Sequence, residues 1–133
     1  MKILTMKYSD LFVLTQNIKI NLGDQSTKGQ KKLIKIYEKL KPYLDEYQAQ
    51  IDEVRLEHAS VDDKNNVIVD DKGNYKYSKE ELKKFNKAFK DLESKEFEYK
   101  IIEIVNPQGL EPYWFLEGWV NGVTFEKQEE VEL

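Results

Sequence analysis

Cysteine is absent from this 133-residue chain. Disulfides, thiolate metal sites and cysteine nucleophiles are excluded with it, and the lack fits a reducing compartment. Histidine occurs once, at His58, so no paired-histidine metal motif can be built. There is no glycine-rich phosphate loop and no G-x-S-x-G nucleophile turn. No stretch approaches the ~20 apolar residues of a membrane span. The start, Met1 to Asp10, lacks an apolar run followed by a small-residue cleavage site, so no signal peptide is expected. Positive charge is also short. The net charge is -4, which disfavours non-specific nucleic-acid binding and leaves room only for a local basic patch.

What is present is apolar bulk and charge. The chain is 40% hydrophobic, with 6 Phe, 8 Tyr and 2 Trp, enough to bury the core of one domain. Charged residues reach 35% against an average of about 25%, so much of the surface is solvated charge. The abundant Lys, Ile and Asn suit an AT-rich genome.

The dominant feature is a heptad. Leu33, Tyr37, Leu40, Leu44, Tyr47, Ile51, Val54 and His58 alternate spacings of four and three. That keeps one apolar stripe on one side of a long helix, from Ser26 or Thr27 to about Ala59. Pro42 interrupts it by removing a backbone donor and crowding the carbonyl of Glu38. The seam crosses Pro42 without a phase shift, so a kink is expected, or two helices meeting at Lys41.

Around this helix the elements are short. Lys2 to Met6 alternates as an edge strand. Ser9 is a candidate N-cap for a helix from Asp10 to about Ile20, burying Leu11, Leu14 and Ile18 with Phe12 at the margin of that face, and with Gly23 turning left-handed at its end. Two turn clusters, Asp62–Asn66 and Asp70–Asn74, flank Val67-Ile68-Val69 and precede Tyr75-Lys76-Tyr77, which reads as a β-hairpin. Ser78 and Glu81 form a capping box for a helix from Lys79 to about Glu93, with Leu82, Phe85, Phe89 and Leu92 in one stripe. Phe97 to Val105 reads as a strand with Phe97, Tyr99, Ile101 and Val105 on one face. Leu110 to Val120 reads as a short aromatic helix with Pro112 in its first turn, capped by Asn121-Gly122. Val123 to Phe125 reads as a last strand. Residues 126–133 read as an acidic, frayed tail. No internal repeat is read from the chain. The expected architecture is a single α+β domain over residues 1–125, mostly helical, in which a long kinked helix packs on a second helix and a small antiparallel sheet.

The chemistry-bearing candidates are few. The acidic turns do not fit a calcium loop: Gly73 as its sixth residue would put Ile68, which cannot ligate, first. They read as turns. His58, on the seam near a helix C-terminus, reads as a packed or capping residue. No metal or cofactor site emerges. The long helix is charge-segregated, basic from Lys28 to Lys41 and acidic from Asp45 to Glu57, against the helix dipole. A solvated face could carry this. So could an antiparallel copy or a charged protein partner, with Lys31, Lys32 and Lys35 as contacts. The second candidate surface is Tyr113, Trp114, Phe115, Leu116 and Trp119. Neighbours on a helix diverge by about 100°, so these rings cannot all face one side. At least one of Tyr113, Trp114 and Trp119 is expected to be exposed as an interaction anchor, the others closing the core.

The layout resembles small, uncharacterised accessory proteins of tailed bacteriophages. The similar pieces are Ile51-Asp52-Glu53-Val54-Arg55-Leu56-Glu57-His58, Asp71-Lys72-Gly73-Asn74-Tyr75-Lys76-Tyr77, and Leu92 through Val105, within a pattern running from Leu33 to Trp119. The resemblance carries no catalytic residues. It implies a non-enzymatic protein-binding role as a virion structural or assembly factor, in the virion or the host cytoplasm. The alternative is a phage inhibitor of a host enzyme or defence component. A small enzyme would require acids clustered in a pocket.

Overall fold

The computed structural model describes residues 2–24 and 26–125, and the expected acidic tail lies outside them. Strand β1 (Ile3–Lys7) runs directly into helix α1 (Tyr8–Asn21). A 3₁₀ turn, Leu22–Asp24, leads to the long helix α2 (Thr27–His58). Helix α3 (Lys79–Glu93) follows, then β2 (Glu96–Lys100), β3 (Ile102–Glu103), a 3₁₀ turn at Trp114–Leu116 and β4 (Val120–Asn121). The class is α+β, as the sequence implied. The sheet divides in two: β1 pairs antiparallel with β2, Leu4 opposite Tyr99, and β3 pairs parallel with β4, Ile102 opposite Val120.

Helix α2 is continuous from Thr27 to His58 with Pro42 inside it, so two helices meeting at Lys41 do not form. Pro42 and its neighbour Lys41 are exposed, and one missing donor on a solvated face leaves the rest of the ladder intact. Ser26 caps the helix by accepting from the Gly29 N–H at 3.1 Å. Leu33, Leu40, Tyr47 and Ile51 of the seam are buried, while Tyr37, Leu44 and Val54 are half-buried. Ile36, outside the heptad, is fully buried. The stripe is broader than a coiled-coil seam because α2 packs against α1, α3 and the strands rather than one helix.

Helix α1 begins two residues earlier than its sequence suggests. Tyr8 is buried, its ring stacked on Tyr47 at 4.6 Å and on Phe97 at 4.7 Å between centroids. Its N–H donates to the Lys95 carbonyl at 3.2 Å. Packing thus fixes the start, Lys7 is the cap residue without a side-chain bond, and Ser9 lies inside the first turn. Leu11, Leu14 and Ile18 are buried as expected, whereas Phe12, at the margin of that face, is exposed. Gly23 does not turn left-handed, since the chain continues as a 3₁₀ turn there.

Between α2 and α3 lies a tandem repeat not read from the sequence. Val61-Asp62-Asp63-Lys64-Asn65-Asn66 is echoed eight residues later by Val69-Asp70-Asp71-Lys72-Gly73-Asn74. Each first Asp accepts two backbone N–H groups, Lys64 and Asn66 on Asp62, Lys72 and Asn74 on Asp70. Asn65 and Gly73 take the positive φ of both loops, 63° and 80°. Ser60, Ile68 and Lys76, also eight apart, close a ring: Ile68 N–H donates to Ser60, Lys76 N–H to Ile68, and Ser60 N–H to Lys76. The hairpin is thus a pair of isolated bridges, Val61 to Val67 and Val69 to Tyr75, rather than two full strands.

Helix α3 starts as expected, with Ser78 accepting from the Glu81 N–H at 3.1 Å. Glu81 turns its carboxylate to His58 instead of back to the cap. Of the expected stripe Leu92 is buried, Phe85 and Phe89 are half-buried and Leu82 is exposed.

The expected long strand breaks between Lys100 and Ile102. Ile101 and Ile102 are both buried, which strict alternation forbids. The chain leaves β1 here to join β4, and Val105, expected on the buried face, is exposed.

Candidate protein-interaction site

The segment after β3 is pinned at its turns. Gln108 N–H donates to the Asn106 side chain, and Leu110 N–H to the Pro107 carbonyl. Gly109 has φ +86°. Lys32 donates to the carbonyls of Asn106 and Gln108, and Lys28 to the Gln108 side chain at 3.2 Å. Two lysines of the basic half of α2 therefore hold this turn. Burial lowers the Lys32 pKa, helped by repulsion from Lys28 and Lys35. Lys31 and Lys35 are exposed. The junction of the two charge halves is bridged locally by Lys41 and Asp45 at 3.2 Å, and Asp52 lies 3.7 Å from Arg55.

Leu110 to Val120 is not an α-helix. One 3₁₀ turn forms at Trp114–Leu116, and Gly118 at φ +86° then reverses the chain. Tight turns suit the large rings better than a helix, because each residue can be aimed separately. Phe115, Leu116 and Trp119 point into the core. Trp119 is 6% exposed, packs edge-on to Tyr99 at 4.9 Å, and its carbonyl accepts the Tyr99 hydroxyl at 2.7 Å. Burial raises the Tyr99 pKa, with a smaller contribution from Tyr43. Tyr113 is half-buried, stacked on Phe115 at 4.9 Å. Trp114 is 72% exposed and meets Phe115 edge-on at 5.8 Å. Asn121 and Gly122 form the end of β4 and its exit, not a helix cap, and Val123 to Phe125 is not a strand.

Trp114 stands over a groove of about 480 Å³ lined by Met6, Asp10, Val13, Leu14 and Trp119. Val13 also lines a larger groove of about 760 Å³, where Phe12, Leu44, Tyr47, Ile51 and Phe89 gather between the three helices. Phe12 and Val13 are 52% and 49% exposed. Helix α1 is apolar on two sides. The signal was available in the run Leu11-Phe12-Val13-Leu14, which is too apolar for a helix with one covered face.

Both grooves mix apolar and charged side chains: Lys19, Arg55 and Glu93 also line the larger, Asp10 and Glu117 the smaller. Among the described residues, no group of three or more His, Cys, Asp or Glu side chains could hold a metal ion. Among the same residues no helix is long and apolar enough to cross a membrane. Comparison with known proteins returned no matching family model, no matching curated protein and no matching solved structure.

Proposed function

We propose that this chain is a non-enzymatic protein-binding factor that serves in the structure or assembly of a bacteriophage particle. The observation that carries the binding role is Trp114. A tryptophan exposed to this degree leaves most of its apolar surface wet, and it gains binding free energy only when a partner dries it. Val13 and Phe12 extend that surface along α1, giving a contiguous apolar surface of the kind that marks interaction sites. The phage setting rests on the layout of the chain, with its long charge-segregated helix, acidic turns and second helix.

The test is partner capture. The chain should be found by mass spectrometry in purified phage particles or assembly intermediates, and the partner should cross-link through position 114. Trp114→Ala should lose capture while retaining the parent's melting temperature. Detection only in early infected-cell extracts, bound to a host protein and absent from particles, would replace the assembly reading with that of an inhibitor.

A further inference from the structure

The short parallel pair β3–β4 is open on one edge. Ile102 and Ile104 donate their N–H groups to Trp119 and Asn121. Backbone groups alternate in direction along a strand, so those of Glu103 between them point away from β4. Among the described residues, no backbone hydrogen bond covers that edge. A groove of about 260 Å³ runs between it and α2. Its floor is apolar, with Ile36, Ile102 and Ile104, and Val105 at its lip is 97% exposed. Its α2 wall is Lys32, Lys35 and Lys39, three lysines on one helical side by their spacing. Lys32 is held by the 106–108 turn. Lys35 and Lys39 make no hydrogen bond or ion pair among the described residues. The Glu103 carboxylate also lines the groove, and accepts from the Asn121 side chain at 3.0 Å. The groove shares no lining residue with the one under Trp114.

We infer that this edge takes an extended acidic peptide of a partner protein, added as a strand beside β3, with alternate apolar side chains on the isoleucine floor and alternate carboxylates on Lys35 and Lys39. Strand addition gives main-chain affinity, and the floor and lysines give register and sign. Nucleic acid fits less well. Its backbone would be matched by the lysines but not by the apolar floor, and the lining holds no aromatic ring on which a base could stack.

The experiment titrates the full chain into a fluorescein-labelled synthetic peptide, Glu-Val-Glu-Val-Glu-Val-Glu, followed by anisotropy. The comparison is the block peptide Glu-Glu-Glu-Glu-Val-Val-Val of equal charge. The alternating peptide should bind at least tenfold more tightly. Lys35→Glu combined with Lys39→Glu should weaken it at least tenfold, and so should Val105→Pro, which removes an N–H at the open edge. Hydrogen exchange should show the Glu103 amide protected when peptide is added. This keeps the proposal falsifiable if Val105→Pro perturbs the fold. Equal binding of both peptides, tighter binding of an oligonucleotide, an unprotected Glu103 amide or no binding at millimolar peptide each overturns it. So does binding that appears only when Glu129, Glu130 and Glu132 are changed to Lys in the full chain. That result would assign the groove to the chain's own acidic segment.

Discussion

The Nδ1 of His58 lies 2.8 Å from Oε2 of Glu81. This contact joins the last turn of α2 to the first turn of α3 across the tandem turns, so the ring of backbone bonds through Ser60, Ile68 and Lys76 is clamped from both ends. The Glu81 pKa is lowered, first by the hydrogen bond from His58 and then, against some desolvation, by Lys84. The histidine, expected as a packed or capping residue of its own helix, instead fastens that helix to α3.

Acid should release that fastener. A carboxyl whose folded pKa is depressed contributes stability that is fully present above its unfolded value, near 4.5, and is lost as pH falls through the folded value. Glu81→Gln should therefore melt below the parent at pH 6, with the gap closing toward pH 3. Melting curves of both proteins across that range check it. A gap that stays constant would assign the contact to packing rather than charge.

The core prediction separates two leucines one helical turn apart. Leu40 is fully buried and Leu44 half-buried. Leu40→Ala should cost about 2–5 kcal/mol, the usual range for a large-to-small core change. Leu44→Ala should cost about half as much, because part of its surface is already wet. Urea unfolding of the two variants gives the comparison, and equal losses would show that the seam is uniformly buried.

Periodic features were legible in the sequence and aperiodic ones were not. Helix α2 and helix α3 are long enough for spacing to average over local exceptions, so Leu33, Leu40, Ile51 and the Ser78 cap were readable. The break at Ile101-Ile102 was not, since two adjacent buried residues arise only when a strand changes partners. The Leu110–Val120 segment misled because density of aromatics resembles a helix face, whereas Gly118 and the 3₁₀ turn decide its path. The tandem turns each carry an ordinary turn composition, and their shared period of eight gains meaning only from the ring of backbone bonds through Ser60, Ile68 and Lys76. Of the candidate site, an exposed ring among Tyr113, Trp114 and Trp119 was expected from crowding on a helix face; Trp114 is exposed, but on a 3₁₀ turn where that argument does not apply. Which ring it is depends on how the turn at Gly118 aims Trp119. The α1 surface was signalled by the run Leu11-Phe12-Val13-Leu14, whereas the role of Lys32 depends on contacts across the fold that no local pattern encodes.

Two glycines should respond very differently to a side chain. Gly122 has φ +91°, and a Cβ there would lie 2.1 Å from the Ile104 carbonyl oxygen. The left-handed region alone costs about 1–2 kcal/mol for a side chain, and the clash with backbone adds to it, so Gly122→Ala should separate β3 from β4. Gly23 has open space and no positive φ, so Gly23→Ala should change stability by less than about 0.5 kcal/mol. Amide exchange at Ile102 and Ile104 reports the pairing directly. Protection that survives Gly122→Ala would mean the chain can reroute around Ile104.

The two tryptophans should divide stability from binding. Trp119 contributes an edge-on ring contact to Tyr99 and lies in the core, so Trp119→Ala should cost about 3–5 kcal/mol. It also disturbs the carbonyl that accepts the Tyr99 hydroxyl, so Tyr99→Phe should cost roughly 1–2 kcal/mol on its own through the lost buried hydrogen bond. Trp114 touches Phe115 by one edge and is otherwise wet, so Trp114→Ala should stay within about 0.5 kcal/mol of the parent, as surface changes usually do. Measured by urea unfolding, this contrast isolates Trp114 as a residue the fold does not require. If Trp114→Ala instead destabilises as much as Trp119→Ala, the ring is part of the core, and the surface beside Val13 loses its anchor.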